Sequence, residues 1–247
     1  MDDTVSIVTV TYNSEKTLGV TMESVLGQTC SAIEYLIIDG ASQDGTVELA
    51  ESYRQRMEER GICLRIVSEK DGGIYDAMNK GIALATGGII GILNSDDWYE
   101  PDAVETVRKE FEKEDCDLLF SNIRLYRKNG RSLVKKARLR RFQTSRDWNH
   151  PTMFVRARVY KSHPFRDQGI HDDYGCYLQL VKEGYRVRTL DKVLANFRMG
   201  GVSNRKSLRE AVQRIKDRYR WCYRINGYSR WYLAECVAIE AVKMILG

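Results

Sequence analysis

Polar residues follow three of the four apolar segments in the first half of this 247-residue chain. Thr11, Tyr12 and Asn13 follow the first segment, Asp39 begins a polar stretch after the second, and residues 94–97 (Asn-Ser-Asp-Asp) follow the fourth. In an open sheet of parallel strands, ligands bind beyond the carboxyl ends of the strands. The sequence therefore predicts one binding edge where these three polar groups meet.

The acidic tetrapeptide at residues 94–97 has the chemistry of a divalent-cation site. Its amide and carboxylate oxygens are hard ligands that suit Mg²⁺ or Mn²⁺ held against a diphosphate. Adjacent carboxylates repel each other unless a cation or hydrogen bonds offset the repulsion. The alternative is a turn and cap for a helix that begins at Pro101, but Asp39 at the same predicted edge favours the ligand site. The chain has neither a G-x-G-x-x-G fingerprint after its first strand nor a P-loop.

These polar groups need a sheet and flanking helices to hold them. Short apolar segments predict strands at residues 5–11, 35–38, 63–67 and 88–93, and helical spacing predicts helices at 14–28, 46–60 and 74–85. This alternation is typical of an α/β fold with a mainly parallel sheet covered on both faces. Beyond residue 117 we predict a strand at 118–120, a basic hairpin-like insertion at 124–141 with its turn at 128–130, a helix at 173–183, a strand at 192–198, and helices at 206–225 and 229–245.

Composition excludes several other classes of protein. A hydrophobic content of 43%, a charged content of 30% and only three prolines indicate a folded, soluble chain. The six cysteines are widely spaced and form no C-x-x-C pair, so we expect neither a disulfide framework nor a zinc site. The acidic N-terminus lacks the features of a signal peptide, and no apolar stretch has the length of a membrane span. We therefore expect a cytoplasmic protein.

Charge divides the chain into an acidic half and a basic half. Residues 1–122 carry 10 Lys and Arg against 24 Asp and Glu, whereas residues 123–247 carry 29 against 10. Basic residues at 135–141 and nearby aromatic residues suit a nucleic-acid surface, but no nucleic-acid-binding motif accompanies them, so we expect no nucleic acid partner. As the partner of this basic half we favour an anionic membrane surface over nucleic acid. The amphipathic C-terminal helices suit packing on the rest of the domain first, with contact to that membrane surface or to a second copy as the alternatives.

Seven motifs in a consistent order extend this interpretation. They are residues 8–13, 37–46, 69–81, 93–97, 150–155, 171–180 and 197–203. Together they resemble the family 2 glycosyltransferases, which are inverting enzymes with a GT-A fold and nucleotide-sugar donors. The resemblance implies a Rossmann-like, mainly parallel sheet in a domain at 1–203, with a nucleotide-sugar-binding half at 1–97 and an acceptor-side half at 98–203. Amphipathic helices at 204–247 complete the predicted organisation.

The resemblance implies roles for five residues of the donor-binding half. Thr11 and Tyr12 would line the nucleobase pocket, and Asp39 would accept a hydrogen bond from the base, usually uracil. Asp71 and Asn79 would contact the donor, beside a Gly-Gly pair that permits close approach of the backbone to a ligand.

Metal and base residues follow from the same resemblance. Asn94, Ser95 and Asp96 stand at the family's Asp-X-Asp motif, which implies that Asp96 binds Mn²⁺ or Mg²⁺ with Asp97 beside it. Asn94 differs from the first Asp of that motif, but its amide oxygen still accepts hydrogen bonds. Asp173 matches the general base of the family, which takes the proton of the acceptor hydroxyl as that oxygen attacks the anomeric carbon. Asp173 and the Asp before it also suit the N-terminus of a helix.

Other residues near these motifs have two interpretations. We expect His150 and His171 to be structural, because a lone histidine is more often structural than catalytic. The glycine pair at 200–201 is either a plain turn or a flap over the diphosphate, and Arg198 and Arg205 beside it either contact phosphate or face solvent.

The expected function is transfer of one sugar from a nucleotide-sugar, most often a UDP-sugar, to a saccharide acceptor with inversion. The family suggests a lipid-linked oligosaccharide of bacterial cell-surface polysaccharide biosynthesis as acceptor, and the inner face of the cell membrane as a possible location. A nucleotidyltransferase and a non-catalytic nucleotide-sugar-binding module are the alternatives. A nucleotidyltransferase usually has a glycine-rich basic loop after its first strand, where this chain has Asn-Ser-Glu-Lys at 13–16.

Overall fold

A computed structural model describes residues 4–113, 115–127, 129–166, 171–199 and 208–246, with side chains up to residue 242. Its first half contains four parallel strands in the order β3-β2-β1-β4. They are β1 (Val5–Thr11), β2 (Ile33–Asp39), β3 (Cys63–Ser68) and β4 (Ile89–Ile92). Every residue of β1, β2 and β4 is buried, as expected for parallel strands covered on both faces. The predicted parallel sheet is confirmed.

The connections between these strands are helical. They are α1 (Glu15–Leu26), α2 (Thr46–Ser52), α3 (Arg54–Glu59) and α4 (Ile74–Leu84). The single helix predicted over 46–60 is divided at Tyr53, whose amide donates to the carbonyl of Ala50, three residues back, rather than to that of Leu49, four residues back. The prediction missed this break because a three-residue hydrogen bond leaves the apolar spacing almost unchanged.

The second half extends the sheet with shorter or more irregular strands. They are β5 (Trp98–Tyr99), β6 (Leu118–Tyr126), β7 (Ser132–Lys135), β8 (Phe154–Arg156) and β9 (Val187–Arg198). The sheet continues from β4 through β8, β6 and β9 to β5, with β7 paired to β6. β8 is antiparallel to both of its neighbours, whereas β6 and β9 are parallel. The fold is therefore α/β with a mostly parallel sheet.

The remaining helices pack on the two faces of this sheet. They are α5 (Ala103–Lys113), α6 (Ala157–Ser162), α7 (Asp172–Lys182), α8 (Leu208–Asp217) and α9 (Tyr232–Leu246), with a π-helical segment (Arg218–Arg224) between the last two. One hydrophobic core joins α1, α3 and α5 to one face, and a second joins α4, α6, α7 and the C-terminal helices to the other. In the described part of the chain, no helix combines the length and the apolarity that crossing a bilayer needs.

A buried ionic cluster fixes the C-terminal helices to one another and to the start of α7. Arg214 Nε donates to Glu240 Oε2 over 2.8 Å, and Arg218 Nη2 lies 3.4 Å from Glu240 Oε1. The same Arg218 Nη2 lies 3.1 Å from His171 Nε2, directly before α7. Both arginines and the glutamate are almost fully buried, so the helices pack on the domain, as their amphipathic pattern predicts.

Most predicted elements are present, and the differences are local. The hairpin predicted in 124–141 forms between β6 and β7. β5 and β8 were not predicted, because strands of two or three residues are set by tertiary pairing rather than by periodicity. The six-residue helix α6 was not predicted either. Lys128 of the predicted turn, the glycine pair at 200–201 and Arg205 lie outside the described residues.

Candidate functional site

The loops after β1 and β2 are joined at the carboxyl edge of the sheet. The amide of Asn13 donates to Ser42 Oγ over 2.8 Å, and the amide of Gln43 donates to Asn13 Oδ1 over 2.9 Å. Asn13 and Ala41 have φ angles of 51° and 59°, a region that residues other than glycine rarely adopt. Such backbone strain persists only where surrounding contacts hold it, and it is frequent at ligand sites.

Asp39 is the buried centre of this edge. Its Oδ1 accepts hydrogen bonds from the hydroxyls of Thr11 and Ser42, and its Oδ2 accepts from the amide of Ser42 and the hydroxyl of Ser68. Burial raises the pKa of Asp39, but the bonds from Ser42, Ser68 and Thr11 outweigh burial and hold the pKa below its usual value. Asp39 is therefore ionised, and protein donors occupy all four of its usual acceptor positions.

The other predicted donor residues around Asp39 differ in exposure. Thr11 is buried against Asp39, whereas the side chain of Tyr12 is 65% exposed and offers an open aromatic ring. Asp71 lies against Gly40, because a Cβ added at Gly40 would come within 2.6 Å of Asp71 Oδ2. The amide of Gly73 donates to Asp71 Oδ1. The φ angle of Gly73 is 135°, a backbone conformation that favours glycine.

The tetrapeptide at 94–97 combines one accessible carboxylate with one buried carboxylate. Asp96 is partly exposed; burial raises its pKa, and the positive charge of Arg198 opposes that rise. Asp97 is fully buried, and its Oδ1 accepts the amide of Arg198 over 3.1 Å. Burial first, and then the neighbouring charge of Asp96, raises the pKa of Asp97 well above its usual value. Ser95 Oγ lies 2.9 Å from Ser14 Oγ and so connects this loop to the loop after β1.

Two buried oxygens in the 94–97 loop lack hydrogen-bond donors among the described residues, which bears on whether the loop suits a cation. Among the described residues, Asn94 Oδ1 and Asp97 Oδ2 are buried atoms without a hydrogen-bond partner. Buried oxygens without donors are costly unless something positive compensates them. Two carboxylates and an amide are oxygen ligands of the type that Mg²⁺ and Mn²⁺ use, so the residues fit a divalent cation. Within the described ranges, no cluster of three or more His, Cys, Asp or Glu side chains adds further ligands.

Asp173 is the second residue of α7, where its carboxylate is held from two sides. Its Oδ1 accepts the hydroxyl of Tyr75 over 3.1 Å and the amide of Tyr174 over 2.7 Å. Burial, and then the charge of Asp173, raises the pKa of Tyr75 well above its usual value, so this hydroxyl stays protonated and donates. The Asp173 side chain is 20% exposed, and its Oδ2 lies 3.5 Å from Nδ1 of His150. His150 was expected to be structural, and no local motif indicated this neighbour.

Asn79 makes a reciprocal contact with the backbone of Phe165, in the half of the domain that the sequence predicts to face the acceptor. Its Nδ2 donates to the carbonyl of Phe165, and its Oδ1 accepts the amide of the same residue, both over 2.9 Å. The structure therefore uses this side chain to join α4 to the segment before α7. Since Tyr75 is one turn earlier on α4, this helix supports both the donor-side loop that precedes it and the carboxylate of Asp173.

The end of β2 brings together three of the predicted donor residues, Thr11, Asp39 and Asp71. Ser95 links the 94–97 loop to the same edge of the sheet. Asn79 and Asp173 lie at the other side of α4, against the acceptor-side half. The polar strand ends of this mostly parallel sheet, and the carboxylate on a facing helix, lie at the edge where α/β folds of this type bind their ligands. A family model for glycosyl transferase family 2 matches residues 6–169, about two thirds of the chain. The chain belongs to this family, and the predicted resemblance is confirmed.

Individual relatives agree with this assignment. A PGL/p-HBAD biosynthesis glycosyltransferase of Mycobacterium bovis is 36% identical over 120 residues, which are 48% of this chain and 46% of the relative. The chain thus matches only about half the length of this curated relative. An uncharacterized glycosyltransferase of Methanocaldococcus jannaschii is 27% identical over 212 residues, with coverage of 81% and 72%.

Two solved structures share the fold. Residues 1–349 of TarS of S. aureus, in complex with UDP-GlcNAc, superpose with a TM-score of 0.68 and 18% identity, covering 97% of this chain and 72% of that TarS fragment. The mannosyltransferase PcManGT from Pyrobaculum calidifontis, in complex with GDP-Man and Mn²⁺, superposes with a TM-score of 0.65 and 16% identity, covering 97% and 69%. These likenesses confirm the GT-A type of fold.

Proposed function

We propose that this glycosyltransferase moves one sugar from a UDP-sugar to a saccharide hydroxyl with inversion of configuration. The observation that carries the proposal is the state of Asp173. Two protein donors hold its Oδ1, while Oδ2 accepts no hydrogen bond from the described residues and the side chain remains partly exposed. A carboxylate fixed in this way, on the helix that faces the donor half, suits a general base.

On the donor side, Tyr12 offers the ring on which the nucleobase stacks, because it is the exposed aromatic residue at the end of β1. Asp39 receives an N–H of uracil only if the hydroxyl of Ser42 or Ser68 turns away, since its four acceptor positions are already occupied. Asp71 lies beside Asp39 across Gly40, where it can accept from the nucleoside. Complexes of the structural neighbours with UDP-GlcNAc and GDP-Man support a nucleotide-sugar donor.

Asn94, Asp96 and Asp97 are the residues that would hold Mn²⁺ or Mg²⁺. When bound, the ion offsets the negative charge that develops on the departing diphosphate. Asp96 is the more accessible of the two carboxylates, and the buried Asp97 ties the loop to β9 through the amide of Arg198. The mannosyltransferase complex with Mn²⁺ supports the use of a divalent cation in this fold.

In the chemical step, the acceptor oxygen forms a bond to the anomeric carbon as the bond from that carbon to the diphosphate oxygen breaks. The hydroxyl proton moves to Asp173 Oδ2. Attack from the face opposite the leaving group inverts the configuration. Tyr75 keeps Oδ1 engaged throughout, because its raised pKa keeps the phenol protonated.

The exposed surface of α9 supports a lipid-linked acceptor at a membrane. Between residues 232 and 242, the part of α9 whose side chains the structure describes, the exposed residues are all apolar: Leu233, Ala234, Val237, Ala238, Ala241 and Val242. Trp231, which is 85% exposed, precedes them, and the exposed Arg220, Arg224 and Arg230 lie nearby in the sequence. An apolar helix face beside arginines suits the cytoplasmic surface of an anionic membrane. The apolar part of this contact lies on α9 rather than on the more basic α8, and a lipid-linked oligosaccharide of bacterial cell-surface polysaccharide biosynthesis is the acceptor that fits it.

Calorimetric titration with UDP, GDP, CDP and dTDP, each with and without Mn²⁺, tests the donor site. We expect UDP to bind in a metal-dependent manner, Asp96→Asn to lose that dependence, and Asp173→Asn to bind UDP normally but not to transfer sugar. Glu48→Gln, which changes an exposed carboxylate on α2 away from the 94–97 loop, is the control. Unchanged transfer by Asp173→Asn would remove this residue from the mechanism.

Vesicle flotation tests the membrane contact. We expect binding to phosphatidylglycerol vesicles but not to phosphatidylcholine vesicles, and loss of binding in Val237→Glu. Val20→Glu is a matched control, because Val20 is similarly exposed (45% against 48%) but lies on α1 in the acidic half. Equal flotation of the two variants would contradict the proposed surface.

A further inference from the structure

His150 is a buried imidazole beside the candidate base. Its side chain is 8% exposed, and Nδ1 lies 3.5 Å from Asp173 Oδ2 without the alignment of a hydrogen bond. Within the described ranges, neither ring nitrogen has a hydrogen-bond partner. A buried polar group in this state is uncommon and costly, and active sites are among the places where it is retained.

Rigid elements hold this imidazole in place. His150 begins a short 3₁₀ turn (His150–Thr152) that is fixed to β6 by two side chains. Asn149 Nδ2 and Thr152 Oγ1 both donate to the carbonyl of Ser121, over 2.7 Å and 2.9 Å. The ring itself packs edge-on against Trp148. The position of His150 relative to α7 is therefore set by the sheet and not by a free loop.

The surroundings keep this imidazole neutral. Burial lowers the pKa of His150, and the negative charge of Asp173 only partly opposes that effect. A neutral imidazole carries one N–H, and the nearest acceptor is Asp173 Oδ2, which favours the tautomer with the proton on Nδ1. The negative charge of Asp173 also acts on groups of α4, α6, α7 and the π-helical segment, where it adds to the burial that raises the pKa of Tyr75, Tyr160, Cys176 and Cys222.

We propose that His150 is a positioning residue for Asp173, a role that rests on the proposed function of Asp173 as the base. The Nδ1–H of His150 donates to one lone pair of Oδ2, and the other lone pair of Oδ2 receives the acceptor proton. The separation of 3.5 Å closes when the acceptor binds, since catalytic hydrogen bonds are often long before the complex forms. With Tyr75 on Oδ1 and His150 on Oδ2, the carboxylate has a single orientation.

Imidazole ¹⁵N NMR tests the contact without any substrate. The chain has only three histidines, so single His163→Gln and His171→Gln variants assign the signals. In wild-type protein, we expect His150 to be neutral at pH 7 with the proton on Nδ1. In Asp173→Asn, the pKa of His150 falls further and the preference for the Nδ1–H tautomer is lost. An unchanged His150 signal in Asp173→Asn overturns the inference.

Kinetics separate a positioning role from a structural one. The assay is release of UDP from UDP-glucose, UDP-galactose and UDP-N-acetylglucosamine, with water as acceptor. We expect His150→Leu, which has no donor, to lose roughly 10- to 100-fold in rate. His150→Asn places an amide N–H near Nδ1 and should restore most of the rate, with UDP affinity unchanged in both variants. Equal rates for His150→Leu and wild type overturn the inference, whereas an active Asp173→Asn contradicts the proposed function and leaves the NMR result as a separate test of the contact.

Discussion

Gly81 sets the distance between α4 and the sheet, and Gly81→Ala is the sharpest test of this packing. A Cβ at Gly81 would overlap Cγ1 of Val8 and would lie 3.2 Å from Cγ1 of Ile38. Val8 is fully buried in β1, and its branched side chain has few alternative rotamers. The added methyl group must therefore push α4 outward, together with Tyr75, which holds Asp173.

The magnitude follows from two opposing effects. Inserting a methyl group into a well-packed core costs about 1–3 kcal/mol. Replacing a glycine inside a helix by alanine contributes about 1 kcal/mol of stability. Gly19→Ala is a matched control, because Gly19 is also inside a helix but its Cβ would meet its nearest neighbour, Tyr53 Oη, at an ordinary 3.7 Å. The helix-propensity effect cancels between the two variants, and the difference of about 1–3 kcal/mol in the free energy of unfolding reports the clash alone.

Thermal unfolding followed by circular dichroism measures this difference. For a chain of this length, about 1 kcal/mol corresponds to roughly 2–4 °C in Tm, so Gly81→Ala should unfold roughly 2–12 °C below Gly19→Ala. Release of UDP from UDP-sugars should fall in Gly81→Ala and remain normal in Gly19→Ala. Equal Tm values for the two variants would refute the close packing of α4 on β1.

Three further outcomes are expected. Glu240→Gln should lower the free energy of unfolding in urea by about 3–5 kcal/mol, because it removes the buried counter-charge that Arg214 and Arg218 share. Glu51→Gln, in an exposed pair, should lower it by less than about 1 kcal/mol. Burial raises the pKa of Glu34, but hydrogen bonds from Ser6 and the backbone outweigh burial and lower the pKa. The resulting stabilisation is complete above the unfolded-state pKa and is lost as the pH falls through the folded-state pKa. Glu34→Gln should therefore flatten the fall of Tm below about pH 4.5. Tyr75→Phe should reduce UDP release about 10-fold with unchanged UDP affinity, and a rate equal to that of wild type would argue against its hold on the candidate base.

Local sequence predicted much of the fold because its signals are short-range. The buried strands β1 and β2 appear as apolar runs, and α1 and α4 appear as apolar residues at helical spacing. The strand-end position of Asp39 follows from the same patterns. β8 has only three residues, and pairing with β4 and β6 rather than its own sequence makes it a strand.

The candidate site shows the same division. The sequence predicts that Thr11, Asp39 and the 94–97 loop lie at one edge of the sheet, because each follows a strand. The structure places them there. The hydrogen bonds that each side chain forms depend on residues far away in the sequence. Asn79 was expected to bind the donor, but its amide is engaged with Phe165, 86 residues later. The contact shows where the amide group of Asn79 lies, and the role of Asn79 in donor binding stays a prediction.

What the sequence by itself determined is the class of fold and the chemical types along its binding edge, because backbone periodicity and residue chemistry are local properties. What only the tertiary structure decided is which polar atoms are already satisfied. Asp173 meets Tyr75 across 98 residues, and His150 reaches it from a turn fixed to β6. Such contacts arise when separate elements pack on one sheet, and since a hydrogen bond depends on atoms within about 3 Å, no spacing within either segment encodes them.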